Sequence, residues 1–97
     1  MYIIRDVFQA RPGQAKALVN IFKNADAIAQ AQGMKNVRVL TDTVSTYWTV
    51  VLEFEVEQVA DYFKLLQDRQ QNKELGEAMK GYMDHVTGGH REIFKVE

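Results

Sequence analysis

The residues best suited to chemistry in this chain lie near its end: His85 and His90, with Asp84 and Glu92 close by. A neutral imidazole near pH 7 can take a proton from a phenol or similar group, and imidazole with carboxylate is also a metal-ligand combination. The two histidines are separated by Thr87-Gly88-Gly89, which is not the i, i+4 spacing of a helical metal motif. His85 and His90 are therefore candidate catalytic bases, set against the plainer reading of loop and strand-end histidines in water; no metal or cofactor site is assigned. An aromatic set, Tyr47, Trp48, Tyr62, Phe63 and Tyr82, could wall an apolar pocket for a planar ligand, with Arg91 or His90 orienting its polar end. Tyr47, Tyr62, Phe63, Tyr82 and Arg91 are accordingly the candidate ligand-binding residues. The same spacings also describe ordinary core packing, and Trp48 in particular falls on the apolar side of a strand pattern, as a plain core residue would. Arg38, Glu53 and Arg91 are candidates for charge pairs, buried inside the assembly or exposed at its rim.

The elements that must position these residues follow from periodicity. Ser45 to Val56 is the most strand-like run: Trp48, Val50, Leu52, Phe54 and Val56 alternate with Tyr47, Thr49, Val51, Glu53 and Glu55. Its first face suits a position under helices, and its second is too mixed for plain solvent or plain core. Tyr2 to Ala10 alternates as well, with Tyr2, Ile4, Asp6 and Phe8 on one face and Ile3, Arg5, Val7 and Gln9 on the other. One charge on each face predicts a strand covered on both sides, with Arg5 or Asp6 paired, lining a polar cavity, or reaching water at the strand end. Arg11-Pro12-Gly13-Gln14 reads as a turn with Pro12 opening a helix, whose stripe is Leu18, Ile21, Phe22, Ala25, Ile28 and Ala29 and whose left-handed cap is Gly33. Met34 to Asp42 reads as a second strand, joined to the central one by a short hairpin-like connection.

After Val56 the period returns to helical. Val59, Tyr62, Phe63 and Leu66 form one stripe, and Leu75, Met79, Tyr82 and Met83 form another beyond the polar bridge Gln67 to Asn72, so two pieces are expected, with the break near Asn72. Thr87-Gly88-Gly89 reads as a chain break and turn rather than a phosphate loop, since no helix follows it, and His90 to Glu97 as a final strand. The order β-α-β-β-α-β predicts a ferredoxin-like α+β fold: a four-stranded antiparallel sheet with both helices on one face. The open face of that sheet is apolar enough to predict a two-fold, face-to-face homodimer.

Composition narrows the function classes. Ninety-seven residues make one domain, 1–97, and 12 basic against 13 acidic residues give a formal charge of −1 without a run of like charge. Nucleic acid and anionic membrane surfaces are therefore not expected partners. There is no cysteine, which removes disulfides, thiolate catalysis and cysteine metal sites. The opening Met1-Tyr2-Ile3-Ile4-Arg5-Asp6 breaks its apolar run at once, unlike a secretory signal or a membrane span, so the expected location is cytoplasmic.

Several stretches together resemble a known family: Ile3-Ile4-Arg5-Asp6-Val7-Phe8 followed by Arg11-Pro12-Gly13-Gln14, Trp48 to Glu55, Val59-Ala60-Asp61-Tyr62-Phe63, and Arg91 to Val96. They are similar to NIPSNAP-type members of the dimeric α+β barrel superfamily, which also holds antibiotic-biosynthesis-type and haem-degrading monooxygenases. The resemblance covers nearly the whole chain and implies two sheets packed into a barrel across a dimer, with a small-molecule pocket between sheet and helices. Haem-degrading relatives use an Asn on the first strand and a Trp and a His on the second helical stretch. Here those regions offer Asp6 and Phe8, then Tyr62 and Phe63, with no histidine before His85. Two functions follow: a non-catalytic dimer binding a small hydrophobic or aromatic ligand, or a cofactor-independent monooxygenase acting on an aromatic or polyketide-like substrate. In the second, His85 or His90 is the base and Tyr47, Tyr62 or Tyr82 the positioning group.

Overall fold

The computed structural model describes residues 1–69 and 73–97; the break expected near Asn72 lies outside the described residues. Strand β1 (Tyr2–Ala10) leads into helix α1 (Ala15–Ala31), followed by β2 (Lys35–Thr41) and β3 (Thr49–Val56). Helices α2 (Val59–Arg69) and α3 (Lys73–Ala78), a 3-10 turn (Tyr82–His85) and strand β4 (Val86–Lys95) complete the chain. The strands pair antiparallel in the order β2-β3-β1-β4, the ferredoxin-like arrangement that the periodicities predict. No described helix is long and apolar enough to cross a membrane.

The alternation of β1 and β3 decides which residues the helices cover. Phe22, Leu18 and Ala25 of α1 pack with Val50, Ala10, Leu75 and Met79, and Phe8 leans on this cluster with its ring 5.1 Å from that of Phe22. A second cluster joins Ile4, Phe54 and Val56 to Tyr62 of α2. On the opposite, helix-free face one cross-strand row reads Arg38, Glu53, Arg5 and Glu92, and the next reads Leu40, Val51, Val7 and His90. Charges of alternating sign thus run across all four strands beside an apolar row.

Turn chemistry explains the boundaries. The Gln14 amide donates to the Arg11 carbonyl at 2.9 Å and Gly13 has φ 78°, so Pro12 opens a tight turn and the helix begins only at Ala15, later than its proline signal indicates. At the far end of α1, Gly33 is left-handed as expected; the Met34 amide reaches the Ala29 carbonyl and the Gly33 amide that of Gln30. That pairing closes the helix in a Schellman motif. Gly81, also left-handed at φ 83°, ends the last helical stretch before Tyr82, so Met83 falls outside the apolar stripe and is exposed.

Three sequence expectations are corrected. Trp48 is not core: β3 starts after it, the Thr49 amide turns instead to the Asp42 side chain at 2.7 Å, and Trp48 is 43% exposed. Phe63 leaves the stripe around Tyr62 and is 49% exposed, because α2 buries the Tyr62 side against the sheet and turns Phe63 outward. Gly88 and Gly89 are not a turn; both lie inside β4, opposite Gln9 and Phe8 of β1. A Cβ on Gly89 would stand 2.5 Å from the Val7 carbonyl oxygen, so glycine there permits close approach of two backbones where their register shifts. Gly88, by contrast, has nothing within 4 Å of the same position. Gly89→Ala is therefore expected to lower stability by about 2 kcal/mol in urea unfolding and Gly88→Ala by less than about 0.5 kcal/mol; equal losses would refute the close-approach explanation.

Candidate functional site

On the helix-covered face, one polar cluster interrupts the core. Asp6 of β1 stands directly opposite Arg91 of β4, and the Arg91 Nε donates to Asp6 Oδ1 at 2.7 Å. Above them Tyr62 of α2, 1% exposed, donates its hydroxyl to Asp6 Oδ2 at 3.2 Å. The Arg91 guanidinium also lies 4.9 Å from the centre of the Tyr62 ring, a cation–π distance. Burial disfavours the Arg91 charge, but the hydrogen bond to Asp6 and the charges of Asp6, Tyr62 and Tyr82 outweigh it and raise its pKa. Arg91 is thus a fixed cation, and Asp6 is satisfied by two donors.

Next to this cluster, between the sheet and all three helices, lies a cleft with a cavity of about 50 Å³. Leu52 and Phe54 form its floor, Ala25 and Ala29 one wall, and Leu66, Leu75 and Met79 the other, while Asp6, Tyr62 and Asp26 are its polar groups among the described residues. Asp26 differs from Asp6: its Oδ1 is buried and has no hydrogen-bond partner among the described residues. Burial pushes its carboxyl from 3.8 up to about 6, against the opposing pull of Lys23. Apolar walls with a few convergent polar groups, one of them with a perturbed pKa, are the chemistry of a small-molecule site, although the cavity as it stands has room only for roughly one or two water molecules.

The sequence-predicted residues divide among several places. Tyr62 and Arg91 meet at the cluster, and Tyr82 packs beside it with ring centres 5.8 Å from Phe8 and 6.2 Å from Phe22. Phe63 stacks edge-on against Tyr62 from the outer side. Tyr47 is 78% exposed on the loop before β3, against Trp48 and away from the cluster. His85 ends the 3-10 turn with Nδ1 2.8 Å from Gln14 Oε1. His90 is on the helix-free face, with Nε2 2.9 Å from Glu92 Oε2. Of the three charged candidates, Arg38 binds Glu53 on that same helix-free face, at 2.8 Å, whereas Arg91 belongs to the other side. No group of three or more metal-ligating side chains occurs among the described residues.

Asp26 escaped the sequence argument, whereas Asp6 is already singled out there as a residue to be paired or to line a polar cavity. Asp6 falls on the apolar side of its strand, in register with Tyr2, Ile4 and Phe8. Asp26 is four residues after Phe22 and three before Ala29, so helical spacing places it on the buried stripe.

The raised pKa of Asp26 makes a stability prediction. The folded state holds a proton on this carboxyl between about pH 4 and 6 that the unfolded state has released, so its penalty is absent below pH 4 and grows as pH rises to about 6. Asp26→Asn is expected to stabilise the protein by about 1–2 kcal/mol at pH 7.5, allowing for solvent screening, and to have little effect at pH 4. Urea unfolding at both pH values measures this; a gain that does not depend on pH would rule the carboxyl out as its source.

Neither the scan of protein-family models nor the search of curated proteins finds a match to the chain. Solved structures do match along its whole length. An uncharacterized NIPSNAP domain protein from Burkholderia xenovorans aligns with TM-score 0.82 at 9% identity, covering 100% of this chain and 95% of that one. A NIPSNAP family protein of unknown function from Agrobacterium tumefaciens gives 0.81 at 9% identity over 99% and 87% of the two chains. A putative antibiotic biosynthesis monooxygenase from Nitrosomonas europaea gives 0.78 at 9% identity over 99% and 98%. At such identities the likeness is one of fold: the chain has the ferredoxin-like α+β architecture that NIPSNAP and antibiotic-biosynthesis-monooxygenase-like proteins share.

Proposed function

We propose that the protein is a homodimer, joined through the helix-free faces of its sheets, that binds a small hydrophobic or aromatic ligand between each sheet and its helices. The observation that carries the ligand reading is the apolar cleft bordered by the fixed Asp6–Tyr62–Arg91 cluster. Of the candidate residues, Tyr62 lines the cleft, while Arg91 and Tyr82 stand next to it. The proposed compartment is the cytoplasm, which a chain without cysteine fits. Cofactor-independent oxygenation is the alternative that the printed name of the Nitrosomonas europaea structure raises. It requires a base at the cleft; His85 and His90 make their hydrogen bonds to Gln14 and Glu92 elsewhere, so that role would fall to the cleft carboxylates Asp6 and Asp26.

The dimer reading rests on the helix-free face. Leu40, Val51, Val7 and Phe94 lie there around a carboxylate, Glu53, that is already 2% exposed beneath Arg5 and Arg38. Solvent is a poor cover for such a patch, and a second copy brings the same row of alternating charges in reverse order. Sedimentation is expected to give a dimer for the wild type, whereas Val51→Lys, which puts an unpaired charge in the middle of the apolar row, raises the dissociation constant by about a hundredfold or more. A wild type that sediments as a monomer removes the dimer.

For the ligand, single-ring aromatic compounds are expected to raise the melting temperature of the wild type by a few degrees at saturating concentration. Met79→Trp, which fills the cleft, should abolish that shift. An unchanged melting temperature for the wild type across the whole set sinks the ligand reading.

A further inference from the structure

The charges of the helix-free face are ordered so that they select one way of joining two copies. One row crosses all four strands as Arg38, Glu53, Arg5 and Glu92, from β2 through β3 and β1 to β4, each residue directly opposite the next. Glu53 is covered by Arg5 and Arg38, but Arg38 and Glu92, one on each edge strand, have side chains 64% and 37% exposed. Arg38 reaches Glu53 through Nε alone, and Glu92 has only His90 on one oxygen. Both ends of the row can therefore take a further partner.

Two copies packed face to face are related by a two-fold axis lying between the sheets. An axis running across the strands sets each strand over itself. Where it crosses at the charged row, Arg38 meets Arg38 and Glu53 meets Glu53; displaced by half a step, it sets Glu53 over Glu55 in one direction or over Val51 in the other. Each position opposes charge to like charge or to hydrocarbon, which is costly in a desolvated interface. An axis running along the strands keeps the rows and reverses the strand order. Placed over β1 or β3 it still opposes Arg5 to Arg5 or Glu53 to Glu53, and placed in either outer gap it pairs only half of the row. Placed between β1 and β3, it sets Arg38 over the partner's Glu92 and Glu53 over the partner's Arg5, and in the next row Val51 over the partner's Val7. We infer that the subunits are related by a two-fold axis parallel to the strands between β1 and β3, with Arg38 of each copy paired to Glu92 of the partner subunit. The inference rests on the dimer reading above and adds which residues meet. At the sheet edges such pairs fix orientation more than they add affinity.

Within one chain Arg38 and Glu92 are on opposite edges of the sheet, roughly 14 Å apart across three strand spacings, too far to touch. Coupling between them in the dimer dissociation constant therefore reports contact between subunits. Arg38→Gln and Glu92→Gln are each expected to raise that constant about fivefold in sedimentation at low ionic strength, since each pair occurs twice, and the double variant is expected to raise it no further. Glu92→Gln leaves Glu53 and its two arginines intact, so it reads the sign of the effect by itself. A tighter dimer for Glu92→Gln overturns the axis, because that is the sign for copies that meet like to like. Additive losses, or no loss from Glu92→Gln, overturn the Arg38–Glu92 pair and leave the dimer standing. A wild type that sediments as a monomer overturns both readings together.

Discussion

The Glu53 carboxylate is the constraint on which the rest of the structure depends. It is buried, it belongs to β3, and it receives Arg5 Nε of β1 at 3.2 Å and Arg38 Nε of β2 at 2.8 Å, so one side chain clamps three strands. Burial by itself pushes its pKa up; the hydrogen bonds and charges of Arg38 and Arg5 overcome this and leave it lowered. The carboxylate therefore stays ionised near neutral pH, and its contribution to stability is present above the ordinary carboxyl range and is lost as pH falls through its depressed value. A hydrophobic triad of the same volume would hold the sheet at least as well. The ionic one penalises misregister more sharply, because a one-residue slip of any strand carries its charge to the other face and leaves a buried ion without a partner.

Register fixed on one face decides the chemistry of the other. Arg5 and Glu92 face each other on the helix-free side, and their next neighbours, Asp6 and Arg91, face each other under the helices. Two separate ionic systems are thus built one residue apart on the same pair of strands. The outer one supports a surface suited to a second copy of the chain; the inner one fixes Tyr62 and borders the cleft. Their common backbone is β1, and any change that shifts β1 against β4 disturbs both systems. Gly89 belongs to this constraint, since it lets the two strands approach where their pairing slips at the end of β1.

Much of the fold was legible because the strands and helices carry clean periods. Ile4, Phe8, Val50 and Phe54 announce the covered face, Leu18, Phe22 and Ala25 the helix that covers it, and Gly33 its end. The failures share a cause. Trp48 and Phe63 have apolar character at the right spacing, but burial depends on where an element starts and how it is rolled, which a local pattern does not encode. Gly88 and Gly89 signal a turn by propensity, and only the distance to a neighbouring strand reveals Gly89 as a contact residue. The site was half legible: Tyr62, Tyr82 and Arg91 stood out as large or charged residues and Asp6 as a charge on an apolar strand face, whereas Asp26 looks like an ordinary polar helix residue until the third dimension places it, half-buried, beside the sheet.

Two buried oxygens have no hydrogen-bond partner among the described residues: Gln9 Oε1 and Asp26 Oδ1. Gln9 donates its amide to Thr49 Oγ1 at 3.3 Å on the helix-free side of β1, and its Oε1 is buried beneath that face. Asp26 lines the cleft, with its Oδ1 buried out of reach of solvent. A chain of 97 residues has a net stability of only about 5–10 kcal/mol, in which one or two unpaired buried acceptors are a substantial loss. Replacing Asp26 by an apolar residue of similar size would remove the loss, whereas replacing Gln9 would also break its hydrogen bond to Thr49.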